Sequence, residues 1–140
     1  MPVLLLFLIG WACSTQKKIT EMKSGSIEVA GQDSVSGKDS VEYSIETFDS
    51  KFETWYGLHK SETLYRSKNY YEQWNRQYVS EWNSNATDPQ KSDFFEPIIG
   101  YNPNTDYGLE LNHKLFYYFQ YVENVLRIKI MPVSPKAVPF

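Results

Sequence analysis

Apolar and polar residues fall into three regimes along the chain. Val3-Leu4-Leu5-Leu6-Phe7-Leu8-Ile9 is an unbroken apolar run. Cys13 to Ser40 is dominated by Ser, Thr, Gly, Lys, Gln and Asp and holds no aromatic residue. A segment so poor in large apolar side chains does not offset the entropy of ordering itself, so it reads as a flexible linker. From Val41 onward bulky rings recur, and 21 of the chain's 23 aromatics lie there. The pattern predicts an apolar leader over 1–12, a linker over 13–40, an aromatic-rich domain over 41–130 and an extended tail over 131–140. Pro132, Pro135 and Pro139 preclude regular helix in that tail.

Inside the domain the period of the pattern assigns the elements. Residues 41–48 alternate apolar and polar, with Val41, Tyr43 and Ile45 on one face, which predicts a half-buried strand. Asp49 or Ser50 can cap a short helix carrying Phe52, Trp55 and Tyr56, with Gly57 as its stop. Over 61–84, Leu64, Tyr71, Trp74, Tyr78 and Trp82 recur at helical spacing, and Glu72 and Arg76 form an i,i+4 pair. Asn83-Ser84-Asn85 and Pro89 are expected to end that helix. Residues 94–101 read as a second strand, an edge because Pro97 cannot donate to a ladder, with 41–48 as its partner. A last helix over about 106–128 carries Leu111, Leu115, Tyr118, Phe119, Val122, Val125 and Leu126, and Phe116, Tyr117 and Tyr121 widen its stripe enough to predict contact on two sides. The expected fold is a small α+β domain, mainly helical, with two long helices, one short helix and a two-stranded antiparallel sheet element.

Composition narrows the classes of partner. The formal charge of −3, and 9 Lys and Arg against 13 Asp and Glu over 41–131, argue against a surface built for phosphate backbones, so no nucleic-acid partner is expected. The single cysteine excludes an internal disulfide framework. Only two histidines are present, and zinc needs three or four protein ligands, so His59 is expected in solvent and His113 on a helix surface. Asn102, Asn104 and Asp106 alternate in the manner of a calcium loop, but the glycine and the twelfth-position acid are misplaced, and an Asn-Pro turn leading to an Asp N-cap accounts for them. Neither metal nor cofactor is expected, and no residue is assigned a catalytic role. There is no Gly-x-Ser-x-Gly and no glycine-rich phosphate loop.

The apolar run is too short to span a bilayer and suits a signal-peptide core. With Gly10-Trp11-Ala12-Cys13 behind it, the segment resembles the lipobox of bacterial lipoproteins, although Gly10 and Trp11 stand where Leu and a small residue are usual. That resemblance implies that Cys13 receives a diacylglyceryl group, becomes the first residue after cleavage and is further acylated, for instance with palmitate. Two or more acyl chains hold a protein stably on a membrane, whereas one is marginal. A conventional cleaved signal, an uncleaved anchor and a buried first strand are the alternatives. Ser14 after the cysteine, by likeness to lipoprotein sorting rules, favours the outer membrane, and the absence of an early acidic cluster favours the periplasmic face. The linker would reach about 26–31 Å as a random coil. Its Asp33-Ser34-Val35 and Asp39-Ser40-Val41 triplets resemble acceptors for bacterial O-glycosylation at Ser34 and Ser40.

Four blocks carry a family likeness: Phe52-x-x-Trp55, Tyr78-Val79-Ser80-Glu81-Trp82-Asn83, Tyr101-Asn102-Pro103-Asn104-Thr105-Asp106-Tyr107-Gly108 and Tyr117-Tyr118-Phe119. Over about 41–126 the chain resembles a family of small Gram-negative envelope lipoproteins classified as a domain of unknown function. The resemblance implies a lipoprotein and transfers no activity. The expected role is that of a membrane-anchored, non-catalytic binding or scaffolding accessory protein of the envelope, in contact with the lipid bilayer through acylated Cys13 and with an envelope protein partner. The alternative is an aromatic-lined protein that binds or processes cell-wall glycan, with Glu81 beside Trp82 and Asn83, for which a second carboxylate about 5–9.5 Å away is required. So many rings in a small domain suggest a surplus at the surface, and Tyr70, Glu81, Trp82, Asn83, Tyr117 and Tyr121 are the candidate ligand or partner surface. A hydrophobic-ligand carrier would need an enclosed pocket of about 300–1,000 Å³.

Overall fold

The computed structural model describes residues 27–33, 41–47, 49–95 and 98–136. Two strands, β1 (Ile27–Asp33) and β2 (Val41–Thr47), precede four α-helices: α1 (Ser50–His59), α2 (Lys68–Thr87), α3 (Ser92–Phe95) and α4 (Gly108–Asn124). A 3₁₀ turn over Glu62–Leu64 joins α1 to α2. The strands pair antiparallel, with Ile27 opposite Thr47, Val29 opposite Ile45 and Asp33 opposite Val41.

The packed body is mainly helical, which overturns the α+β expectation. Among the described residues of 41–48 and 94–101 no strand pairing joins the two segments. Ser92–Phe95 is a helical turn, and the rings of consecutive residues Phe94 and Phe95 both lie beside Trp82, with centroids 5.9 and 5.0 Å away. A strand would send consecutive side chains to opposite faces, so both rings could not reach one indole. Instead β2 pairs with Ile27–Asp33, a segment that composition had placed in the linker. An isolated hairpin is marginal in water. This one leans on α1 and α4, with Ile45 buried between them.

α4 is the centre of the body. Every residue from Leu111 to Val122 except Lys114 is buried. α1 covers one side of it and α2 the other. Phe52 of α1 meets Tyr118 and Tyr121 at 5.1 and 5.5 Å, edge to face. Tyr78 of α2 stacks on Phe119 at 4.7 Å. The two-sided stripe of α4 thus has a physical cause, since it is the layer between two others. Gly108, at φ +79°, turns the chain into this helix in a conformation that other residues rarely adopt. Arg127, at φ 60°, turns the chain out, and the Ile128 amide returns to the Val122 carbonyl at 3.0 Å.

Helix bounds depart from the sequence pattern for identifiable reasons. α1 passes through Gly57 to His59, because Gly57 keeps an ordinary helical φ. α2 starts at Lys68 rather than 61, where the Ser67 hydroxyl accepts from the Tyr70 amide at 3.2 Å, and Leu64 stays exposed in the 3₁₀ turn. Glu72 pairs back with Lys68 at 3.8 Å, while Arg76 donates to the Pro103 carbonyl. α2 also runs through Asn83-Ser84-Asn85 to Thr87. Asn side chains end helices by bonding to their own backbone, and here they are engaged elsewhere. The Asn83 amide donates to the Ile99 carbonyl at 3.0 Å and accepts from the Ile99 amide at 2.8 Å. Asn85 donates to the Ile130 carbonyl at 3.0 Å.

These amides replace the missing ladder in holding the extended segments. A second set lies deeper. Asn75 donates to the Asn112 carbonyl at 2.9 Å, and Gln120 donates to the Tyr78 hydroxyl, which donates in turn to Glu123. Glu123 then accepts from the amides of Ile130 and Met131. Removing one partner of such a tie leaves the other half-buried and unsatisfied, so Asn83→Ala is expected to lower stability by about 1–3 kcal/mol. Urea denaturation would show this, with Asn83→Asp, which keeps the acceptor, falling between the two. An unchanged midpoint in Asn83→Ala would rule out the tie.

Candidate functional site

A concavity that offers charged groups of both signs lies where α1, α4 and β2 meet. It is an open cleft of about 370 Å³. The Asp49 carboxylate caps α1, accepting from the Lys51 and Phe52 amides at 2.9 and 3.2 Å. That start places Phe52 and Tyr56 inward, one turn apart, and leaves Glu53, Gly57 and Lys60 on the rim. From α4 come Glu110, Leu111 and Lys114, and from β2 comes Ile45.

Charge is arranged around one ring. The Lys60 and Lys114 ammonium groups lie 5.5 and 5.8 Å from the centroid of Tyr56, within the range of cation–π attraction. Lys114 is also paired with Glu53 at 2.9 Å. This pair is partly exposed, so it orients the lysine more than it stabilises the fold. Among the described residues neither Lys60 nor Glu110 forms an ion pair.

Beneath the cleft the Tyr56 hydroxyl and the Nδ1 of His113 are 2.9 Å apart. His113 is fully buried, not on a helix surface as expected. Rings enclose it: Tyr65 and Tyr117 at 4.1 Å and Tyr71 edge-on at 5.2 Å. Burial, with a smaller contribution from the charge of Lys60, pushes its pKa down to about 4. Burial, aided by Tyr65 and Glu110, pushes the Tyr56 phenol well above its ordinary range. Both groups are therefore neutral at pH 7 and share one hydrogen bond between the Tyr56 hydroxyl and Nδ1. Among the described residues the Nε2 of His113 has no hydrogen-bond partner. The pair is a core polar contact, held in the uncharged form of both partners.

The candidate ring surface is distributed differently. Trp82 is wholly buried among Phe94, Phe95, Tyr118 and Phe119. Tyr117 and Tyr121 are each only 2% exposed, and Tyr121 lies against Phe52 and Trp55. Burial pushes Tyr117 up to about 12 and Tyr121 upward as well. These rings are core, so they make no exposed patch. The surplus of rings is absorbed because α4 is packed on two sides. Tyr70 is half-buried, edge-on to Tyr71 and Phe116, with the Arg66 guanidinium over it at 5.8 Å. Asn83 is the tie to Ile99 described above. Glu81 is exposed on a second shallow cleft of about 430 Å³, lined also by Arg76, Met131, Pro132 and Val133, in which it is the sole carboxylate among the described residues. Glycosidase geometry asks for two. Cys13, Ser34 and Ser40 lie outside the described residues.

In the calcium-like run the side-chain oxygens of Asn102 and Asp106 are engaged. Asn102 accepts from the Asn104 amide at 2.9 Å, and Asp106 accepts from the Gly108 amide and pairs with Lys68 at 2.8 Å. The Lys68 hydrogen bond is the chief cause of the lowered Asp106 pKa. α4 begins two residues after Asp106, with Tyr107 at the N-cap. Among the described residues no group of three or more His, Cys, Asp or Glu is placed to hold a metal ion, and no helix is long and apolar enough to cross a membrane.

The cleft escaped sequence reading because α4 supplies one wall from about fifty residues beyond β2 and α1. His113 was legible in principle, lying one helical turn before Tyr117 and two before Tyr121, on the second buried face of α4.

The fold and cleft define a small helical module with a ring-packed core and a rim whose described residues carry charges of both signs. The chain belongs to a Family of unknown function (DUF6146), which it matches over residues 1–138. No curated protein and no solved structure matches it.

Proposed function

We propose that the protein is an outer-membrane lipoprotein of the Gram-negative envelope, anchored through acylated Cys13 and facing the periplasm, and that its helical body is a non-catalytic binding or scaffolding module for an envelope partner. The observation that carries the anchor is the order of segments: an apolar run, a cysteine after a small residue, then a polar stretch before the first strand. The family match runs through this segment as well as the helical body. Residues 14–26 connect Cys13 to the hairpin, and the hairpin leads directly into α1, one wall of the cleft.

The binding role is supported by how the polar groups are used. The Tyr56–His113 pair is neutral at pH 7, the deep Asn, Gln and Tyr groups tie segments together, and the cleft between α1, α4 and β2 presents Glu53, Lys60, Glu110 and Lys114. The glycan-processing reading is weaker, since Glu53 is occupied by Lys114 and Glu81 stands alone in its cleft.

Fractionation of a Gram-negative host producing the full chain tests the anchor. The wild-type protein is expected in the outer-membrane fraction, released only by detergent. Cys13→Ser, which has no thiol to acylate, is expected to be absent from that fraction. Equal recovery of both from the outer membrane would defeat the proposal.

A further inference from the structure

One residue of the cleft is not explained by the fold. Gly57 lies inside α1, where glycine costs about 0.5–1 kcal/mol relative to alanine. Its backbone does not require glycine, because its φ is not in the left-handed region, and packing does not require it either, because a Cβ there would meet no atom within 4 Å. What glycine does provide is bare helix backbone at the wall of the cleft. Glycine is commonly placed where a ligand must approach the backbone closely.

The charges beside that bare wall say what would approach. Among the described lining residues the charges of Lys60, Lys114, Glu53 and Glu110 sum to zero, so these four side chains together exert no net pull on a simple anion or cation. Lys114 and Glu53 satisfy each other. Among the described residues Lys60, over the Tyr56 ring, and Glu110, from α4, form no ion pair and leave one positive and one negative group on different elements. Ile45 and Leu111 supply apolar wall between them. The volume, about 370 Å³, is at the small end of ligand sites.

We propose that this cleft binds a small zwitterion of the amino-acid or short-peptide class, its carboxylate at Lys60, its ammonium at Glu110 and its body against the exposed backbone of Gly57. The inference rests on the reading of the helical body as a binding module but not on the lipid anchor, so the fractionation experiment and the binding experiment fail separately.

The test is a titration of the full chain, ¹⁵N-labelled in detergent, with free L-alanine, Ala-Ala, Lys-Ala and Ala-Glu, followed by backbone amide shifts. At least one free ligand is expected to bind saturably, at a dissociation constant of about 1 mM or tighter, with the largest shifts at Gly57, Lys60 and Glu110. The acetylated and amidated form of the same peptide is expected to bind at least about tenfold more weakly, as is inorganic phosphate. Gly57→Leu fills the wall and is expected to weaken binding at least about tenfold while leaving the melting temperature equal or higher, because leucine is the better helix former. Lys60→Gln and Glu110→Gln should each weaken it as well. No saturable binding by any free ligand, equal binding of the blocked peptide, or full binding by a folded Gly57→Leu variant would each overturn the proposal.

Discussion

Trp82→Ala is expected to remove most of the stability of the helical body. The indole is wholly buried in α2 and touches rings from α3 and α4, so it joins three helices at one point. Truncating a buried tryptophan to alanine costs about 3–5 kcal/mol, from lost transfer energy and from the cavity left behind. Domains of this size are stable by about 5–15 kcal/mol, and small ones lie at the low end. The variant should therefore show a collapsed urea midpoint by circular dichroism, and Trp82→Phe, which keeps a ring, should recover much of the loss. A Trp82→Ala protein within about 1 kcal/mol of wild type would mean that the indole is not the junction of the core.

The second large effect is a loss of stability with acid that begins well above the carboxylate range. His113 titrates at about 4 in the folded protein, against 6.5 as its ordinary value, because burial disfavours the imidazolium. Below pH 6.5 the unfolded chain takes up a proton that the folded one refuses, so stability falls as pH falls and levels off only below the folded value. At about 1.4 kcal/mol per unit, the loss is about 2 kcal/mol by pH 5 and about 3 kcal/mol by pH 4. Urea midpoints measured from pH 7.5 to 5 should fall in the wild type. In His113→Phe they should start lower, since the Tyr56 contact is gone, and should run nearly flat over the same range. Parallel slopes in the two proteins would show that another group carries the dependence.

Much of the helical body was legible in the apolar pattern. Tyr71, Tyr78 and Trp82, placed on one face by their spacing, are each at most 1% exposed, and Leu111, Leu115, Tyr118, Phe119 and Val122 line the interior of α4 as their periodicity implied. Periodicity works there because those helices bury a fixed face against a neighbour. It failed where a segment's partner was not local. Residues 94–101 carry apolar and β-branched residues like a strand, yet Phe94 and Phe95 are drawn to Trp82 and Ile99 is held by the Asn83 amide. Ile27–Asp33 lies in a stretch of linker composition and acquires strand geometry by pairing with β2. The candidate surface misled for a related reason. The count of rings suggested a surplus, but a helix packed on both sides has nearly twice the interior, and it takes in Tyr117 and Tyr121. The cleft left only one trace in the sequence, an unforced glycine in a helix, and that trace has meaning only once Lys60 and Glu110 are seen beside it.

The body and its cleft acquire an envelope role only through the residue that would tether them. Intact-mass and peptide mass spectrometry of the processed protein, extracted from membranes of a Gram-negative host, reads that residue directly. The account predicts a mature chain that begins at Cys13 and carries diacylglyceryl on sulfur with a further acyl chain on the amine. An unmodified Cys13 behind an intact Met1–Ala12 segment would contradict it.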